Sequence, residues 1–567
     1  MLKLKKSQEY WFMKRMSIFL RPCKIKFLVI IICIIISTII SFFQPLIIRD
    51  ITDKGMVNKD LQVIVYSTLL LMGLVIINQL IEILQANIFS DIHNEVSFSV
   101  WNTAFNKLMY IKMDYFNDKN NSEIINHLQT DVESVTSITD RYIVMSISYI
   151  FRVISGMAGL TIISWKLTFI VLTLLPINYL VVRAISKLKK KKMEVMIDNY
   201  RDYSAWVGDN IDGVKEIKLL NLYYQRLSIF ENKQKKLLKN NKENNMLDTY
   251  NFSCEVILGW LVNGLLYVLG GYFIINGALT IGGVFSFITY SNYVTGPISS
   301  IFNLKYYFSR ILPSAKRLFT FLDMDEEFNP DNPIIMLEDD IEIRFRNVSF
   351  SYEEKGEILK DINFSVSKGE KVAIIGSNGS GKTTLVNLLL RFIEPSNGVI
   401  EIGNKNMKLF SIENYRSLFS VVSQEPYLFF DTILNNINVA GNAYNNKIKK
   451  ACVQSGASEF IDKLPEKENS MIGRNGAKLS GGEKQKLAVA RAIIKDSPIV
   501  IMDEATAGYD VESDSYLHDV ILNEFVDKTV IMITHRYDNL KGFDRVYRLF
   551  EGDLIEISNE KSTSWVN

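Results

Sequence analysis

The chain has 567 residues, more than one ordinary domain of roughly 150 residues holds. Its 64 Lys and Arg nearly balance 62 Asp and Glu, for a formal net charge of +2, which excludes a protein built to neutralise nucleic-acid phosphates and an acidic disordered chain. Cys23, Cys33, Cys254 and Cys452 are widely scattered and the four histidines isolated, which excludes a disulfide scaffold and a Cys- or His-based metal site.

Residues 1–26 hold Tyr10, Trp11, Met13 and Phe19 among lysines and arginines, the make-up of a helix lying at a bilayer interface. Residues 27–48 form an apolar run of the length that crosses the hydrocarbon core as helix, about 20 residues. The run exceeds a signal-peptide core and lacks a small-residue cleavage site, so it reads as a retained first span. Further spans are predicted at 63–84, 142–163, 167–182, 256–275 and 284–302, making a six-span domain over 27–310. Lysines and arginines crowd before the first span and after the fourth (Arg183, Lys187 and 189–192), while 276–283 carries no charge. This asymmetry puts both termini in the cytoplasm. The stretches 92–138 and 186–249 are charge-rich and free of proline, so the spans are expected to continue into the cytoplasm as helix. Arg152 falls inside the third span. An ionisable group there commonly faces a cavity, which makes it a candidate for the substrate pathway, with a structural ion pair or a snorkelling side chain as the alternatives.

Residues 311–340 read as a linker, and from 341 to 567 short β-branched strands and turns replace the apolar runs. The strand candidate Lys371–Ile375 leads directly into Gly376, Ser377, Asn378, Gly379, Ser380, Gly381, Lys382 and Thr383, followed by a helical run that opens at Thr384. This is a P-loop in its strand–loop–helix setting. The glycines let backbone N–H groups converge on phosphate, Lys382 brings positive charge to the outer phosphates, and Thr383 offers a hydroxyl to Mg²⁺. A second strand at 499–502 ends in Asp503 and Glu504. Beside a bound ion, one such acid holds the metal through water and the other orients or deprotonates the attacking water.

Between these motifs stands Leu479-Ser480-Gly481-Gly482-Glu483-Lys484-Gln485, and with it the sequence resembles the ATP-binding cassette (ABC) transporters. The order of P-loop, Gln424, LSGG signature, Asp503-Glu504 and His535 is the family's order. Six spans ahead of one cassette resemble an exporter half-transporter. The resemblance implies an all-α six-helix transmembrane domain of the type I exporter kind, then an α/β P-loop nucleotide-binding domain with an antiparallel β-subdomain. It also implies ATP and Mg²⁺ as ligands. Tyr352 resembles the aromatic that stacks on adenine, and Gln424 the glutamine that touches Mg²⁺ and faces the membrane domain. Asp503 would be the Walker B acid, Glu504 the catalytic base and His535 the switch histidine. Ser480, Gly481 and Gly482 would bind the ATP of a second cassette, so the chain is expected to pair, as a homodimer first and with a related half-transporter as the alternative. Asp510 closes the D-loop.

Three features depart from the family pattern. Glu483 stands where Gln is usual. The D-loop reads Ala507-Gly508-Tyr509-Asp510 in place of Ser-Ala-Leu-Asp, and Gly473-Arg474-Asn475-Gly476 replaces Gly-Glu-x-Gly. Segments 116–132 and 212–222 resemble the intracellular loops that meet the cassettes. The resemblance implies a multi-pass plasma-membrane exporter moving an amphipathic drug, lipid or peptide, with a membrane-bound ATPase regulator that carries no cargo as the competing function.

Overall fold

In a bilayer a chain can satisfy its backbone polar groups only within helices or closed barrels, and the N-terminal half of this protein is helical. The computed structural model describes residues 2–117, 121–334, 341–352, 356–441, 443–473, 478–503, 520, 523–535, 540 and 542–557. They fall into two units, Met1–Leu108 with Ser122–Met324, and Met109–Asn121 with Asp325–Asn567. The helices in order are α1 (Leu2–Leu20), α2 (Lys24–Asp50), α3 (Leu61–Tyr110), α4 (Asp114–Asn117), α5 (Asn121–Thr136) and α6 (Arg141–Ile163). They continue with α7 (Trp165–Asp212), α8 (Val214–Leu219), α9 (Tyr223–Ile275), α10 (Ile281–Thr295) and α11 (Ile298–Leu322).

Five of the six predicted spans each lie on one helix. Among the described residues, Tyr10–Val57, Leu61–Tyr110, Met145–Ile163 and Tyr223–Ile275 are long and apolar enough to cross a membrane. The run 167–182 lies in α7, which has Pro176 in its interior. The run 284–302 is not one continuous helix. It divides at Gly296-Pro297 between α10 and α11, because Pro297 has no N–H to continue the helical ladder. At 1.5 Å per residue, the 50 residues of α3 and the 53 of α9 run about 75 and 80 Å. A hydrocarbon core of about 30 Å cannot contain them, as the charged continuations predicted.

Close helix packing in this unit uses small residues. A Cβ at Gly159 of α6 would lie 2.5 Å from the ring of Tyr290 on α10, and one at Gly156 would lie 2.9 Å from the Val294 side chain. Tyr290 is fully buried, and its hydroxyl donates to the carbonyl of Phe42 on α2. Asp53 accepts from the Thr280 hydroxyl (2.6 Å) and the Gly282 N–H (2.7 Å), which ties the start of α10 to the helical turn Ile51–Val57 that follows α2.

The second unit is built on two main sheets. The strands are β1 (Ile343–Tyr352), β2 (Gly356–Val366), β3 (Lys371–Ile375), β4 (Asn397–Ile402), β5 (Lys405–Asn406), β6 (Phe419–Val422), β7 (Asp431–Thr432), β8 (Met471–Ile472), β9 (Ile499–Asp503), β10 (Thr529–Thr534), β11 (Arg545–Phe550) and β12 (Asp553–Ile557). One sheet is antiparallel in the order β2-β1-β4-β5, and the other runs β12-β11-β3-β10-β9-β6. In the latter β11, β3, β10, β9 and β6 are mutually parallel, with β12 antiparallel at one edge. Side chains of β3 alternate between two cores, as strand geometry requires. Ile374 joins Leu385, Leu388 and Leu389 of the P-loop helix and the antiparallel sheet's Phe345 and Phe364. Ala373 and Ile375 join Ala488, Val489 and Ala492 on the opposite face.

Candidate functional site

The P-loop follows from local backbone demands. After the buried strand β3 the chain turns through Gly379 (φ +81°) and Gly381 (φ +106°) into the helix Lys382–Leu389. Gly381 occupies backbone that L-residues avoid, and a Cβ there would meet Leu359 Cδ2 at 3.0 Å and Ile358 Cγ2 at 3.2 Å. A Cβ on Gly376 would lie 2.6 Å from the Leu549 carbonyl oxygen. The backbone oxygen of Leu549 therefore leaves room for glycine alone at Gly376, and at Gly381 the positive φ, with two side chains close by, favours it. Ser377, Asn378 and Gly379 form the exposed crest, Thr383 is exposed and Thr384 buried. Lys382 is only 6% exposed, and its Nζ donates to the carbonyls of Gly376 (2.8 Å) and Ser377 (3.0 Å). The Ser380 hydroxyl is buried without a hydrogen-bond partner. An orphaned hydroxyl beside a buried lysine at a helix N-terminus fits a phosphate chain, which supplies acceptors.

Strand register assembles the remaining residues around this loop. Thr534 pairs with Ile375, Ile533 with Asp503, and Val422 with Met502. The carboxyl ends of β3, β10, β9 and β6 thus lie side by side, carrying the P-loop, His535, Asp503 and Gln424. Open parallel sheets bind ligands at that edge. Tyr352 is half-buried at the end of β1, edge-on to Phe350 with ring centroids 4.8 Å apart. It pairs with Gly356, two residues from the Ile358 side chain that faces Gly381, so this hairpin end abuts the P-loop. Thr383, Gln424 and Asp503 offer hydroxyl, amide and carboxylate oxygens, a donor set suited to Mg²⁺. Glu504 and Asp510 lie outside the described residues, as do Arg474, Asn475 and Gly476.

Ser480 is the N-cap of the helix Gly481–Lys495, which packs against β6. Glu483 at the third helical position closes a capping box. Its Oε2 accepts from the Ser480 N–H (2.7 Å) and hydroxyl (2.9 Å), and its own N–H donates to Ser480 Oγ (3.3 Å). The departure from Gln thus has a defined local role. Two residues further on, buried Gln485 donates through Nε2 to the Gln424 carbonyl at 3.1 Å. Arg491 donates to the Tyr427 carbonyl (2.6 Å) and to Asn436 Oδ1 (2.7 Å), and burial pulls its guanidinium pKa below the ordinary value. Sequence reasoning missed this link between Gln424 and the signature helix, since nothing local pairs residues 61 positions apart.

In the helical unit, Arg152 lines a cavity of ≈ 210 Å³ between α2, α3 and α6, its guanidinium 4.2 Å from the centroid of the Tyr293 ring. Glu82 lines the same cavity. It was overlooked in the apolar run 63–84, although a lone carboxylate there is the same signal that singled out Arg152.

Comparison with known proteins agrees with this architecture. Residues 27–298 match the ABC transporter transmembrane region and residues 359–507 the ABC transporter domain. The chain is 28% identical over 98% of its length to an ATP-dependent lipid A-core flippase of Wigglesworthia glossinidia brevipalpis, of which it covers 96%. It is 26% identical over 96% of its length to an uncharacterised ABC transporter ATP-binding protein of Bacillus subtilis, of which it covers 90%. The fold matches a bacterial Atm1-family ABC exporter solved with ATP bound, with a TM-score of 0.81 at 20% identity, covering 94% of this chain and 95% of that one. With both domains matched on one polypeptide, the chain belongs to the ABC transporter family, as an exporter-type half-transporter with fused membrane and nucleotide-binding domains.

Proposed function

We propose that the protein is an ATP-driven exporter that moves an amphipathic substrate out of the cytoplasm or inner leaflet of the plasma membrane, with both termini cytoplasmic. The alignment of the P-loop, His535, Asp503 and Gln424 along one strand edge carries the reading. Tyr352 stacks on adenine, and the loop from Gly376 to Thr384 holds the phosphates through its N–H groups and Lys382. Thr383, Gln424 and, through water, Asp503 would hold Mg²⁺, which supplies neutralising charge on the phosphates. Glu504 takes the proton of the attacking water, and His535 contacts the γ-phosphate.

The helix capped by Ser480 packs on β6, which is three strand positions from β3, about 14 Å at sheet spacing. That offset favours Ser480, Gly481 and Gly482 serving the nucleotide of a second copy, with Asp510 between the two sites. A homodimer with two such composite sites is the simplest assembly. ATP drives closure only as far as it binds the closed pair more tightly than the open one. The names of the flippase relatives favour a lipid among amphipathic cargoes.

The test uses the product of this single gene, purified and reconstituted. Glu504→Gln should bind ATP and dimerise with turnover reduced at least about a hundredfold, the scale of a lost general base. Normal turnover would remove Glu504 from this role, and activity that required a second, different chain would overturn the homodimer.

A further inference from the structure

We propose that the cavity between α2, α3 and α6 binds the zwitterionic head group of an amphiphile, Arg152 taking its anionic part and Glu82 its cationic part. The inference rests on the exporter reading above and narrows its substrate class. Ionisable groups within apolar spans are costly and persist where something compensates them. Both charges line one cavity. Among the described residues, however, neither forms an ion pair. Arg152 lies on the face of Tyr293, which attracts the cation but accepts no strong hydrogen bond. Among the described residues, Glu82 accepts only a long hydrogen bond, 3.4 Å, from Asn78 Nδ2.

Two further polar atoms point the same way. Ser37 Oγ and Asn78 Oδ1 are buried without partners, and both residues line the cavity. Orphaned groups of this kind destabilise a fold until a ligand or water satisfies them. An anion alone would gain from Arg152 and be repelled by Glu82, and a cation alone would meet the reverse. A group carrying both charges satisfies both side chains, with Ser37 and Asn78 supplying hydrogen bonds. The cavity is smaller than the roughly 300–1,000 Å³ of pockets that enclose a drug-sized ligand. It therefore suits a polar head, while the apolar wall of Ile34 and Phe89 faces the start of the tail.

Three single-chain probes with the same dodecyl tail test the assignment: dodecylphosphocholine (zwitterionic), dodecyl phosphate (anionic) and dodecyltrimethylammonium (cationic). Each is titrated calorimetrically, below micelle formation, into the full chain held in an uncharged maltoside detergent without ATP. The zwitterion should bind about tenfold more tightly than either singly charged probe. Glu82→Gln should weaken the zwitterion by about tenfold and turn the preference towards dodecyl phosphate, whereas Arg152→Gln should turn it towards the ammonium. A misfolded variant cannot produce shifts of opposite sign, and retained binding of a fluorescent ATP analogue checks the fold of each. Equal affinity for all three probes, a preference of the unaltered chain for dodecyl phosphate, or the same loss for every probe in both variants would overturn the proposal. Because binding is read without nucleotide, the exporter reading fails separately. Zwitterion binding that holds, with no ATP-dependent uptake of labelled zwitterion into inverted vesicles, would retain the site and refute export.

Discussion

Glu483→Gln separates two consequences of one carboxylate. In the resting chain a single oxygen of Glu483 accepts from both the N–H and the hydroxyl of Ser480, at a helix N-terminus where negative charge is favoured. A glutamine amide oxygen can still accept there, so the change removes charge rather than geometry. The charged hydrogen bonds exceed neutral ones by roughly 1 kcal/mol and the helix dipole adds about 0.3–1 kcal/mol. Ser480 is exposed, so solvent screening keeps the total near 1 kcal/mol. For a domain of about 200 residues this lowers the apparent Tm by about 2–4 °C. The effect on the proposed dimer has the opposite sign. The Ser480 hydroxyl, which would turn to the partner's nucleotide, is committed to Glu483, and the acid repels phosphate. Loss of the charge should therefore lower the ATP concentration for half-maximal hydrolysis, about fivefold for 1 kcal/mol. Differential scanning fluorimetry without nucleotide and an ATP titration of hydrolysis read the two effects. An unchanged Tm would refute the cap's contribution, and an unchanged or raised half-saturation would refute the competition for Ser480.

Gly381→Ala should weaken binding of a fluorescent ATP analogue by about tenfold or more. A Cβ at φ +106° costs roughly 1–2 kcal/mol, and it also presses on Leu359 and Ile358; unchanged affinity would contradict the cradle geometry. Glu370 reports on pH: burial raises its pKa, but Arg545 (2.7 Å at Nη2) and the Ser367 N–H (2.7 Å) outweigh that and hold it below the ordinary carboxylate value. A depressed carboxylate stabilises the fold above its unfolded pKa of about 4.3 and loses that contribution as pH falls through the folded value. The Tm gap between the protein and Glu370→Gln should thus be full at pH 7 and shrink below about pH 4, and a pH-independent gap would exclude the charge as its source. Gln485→Met, which fits the space but cannot donate to Gln424, should leave ATP-analogue binding within about twofold and reduce hydrolysis, since about 1 kcal/mol of hydrogen bond holds the two segments together. Equal losses of binding and turnover would refute a linking role.

The membrane helices were legible because apolar length is a one-dimensional signal, and α2, α3, α6, α7 and α9 each contain the run that predicted them. The same averaging hid what was not apolar. A window centred on 284–302 reads through Gly296-Pro297 because proline is not strongly polar; its missing N–H breaks the helix, and hydropathy does not register it. Glu82 disappeared into its run in the same way. Glu483 was read as a substitution within a motif, although Ser480-x-x-Glu483 is itself a helix-start signal and would have predicted the capping box from these four residues alone.

The nucleotide site divides along similar lines. The P-loop is contiguous, so its chemistry was legible from Gly376 to Thr383 without knowledge of the fold. Asp503, His535 and Gln424 come from strands that are neighbours in space in the order β3-β10-β9-β6, an order that differs from their order in the chain. Only the family resemblance grouped them beforehand, because strand order is decided by which apolar faces bury each other over more than a hundred residues of separation. That arrangement also gives Gln424 two attachments of different character: the end of β6, whose register with β9 is fixed by the ladder, and the amide of Gln485 on the signature helix. A displacement of the Gln424 segment that keeps the ladder intact must either break the bond to Gln485 or carry the helix with it. The helix is capped by Ser480, so in the proposed dimer the same bond ties events at one nucleotide to the surface offered to the other.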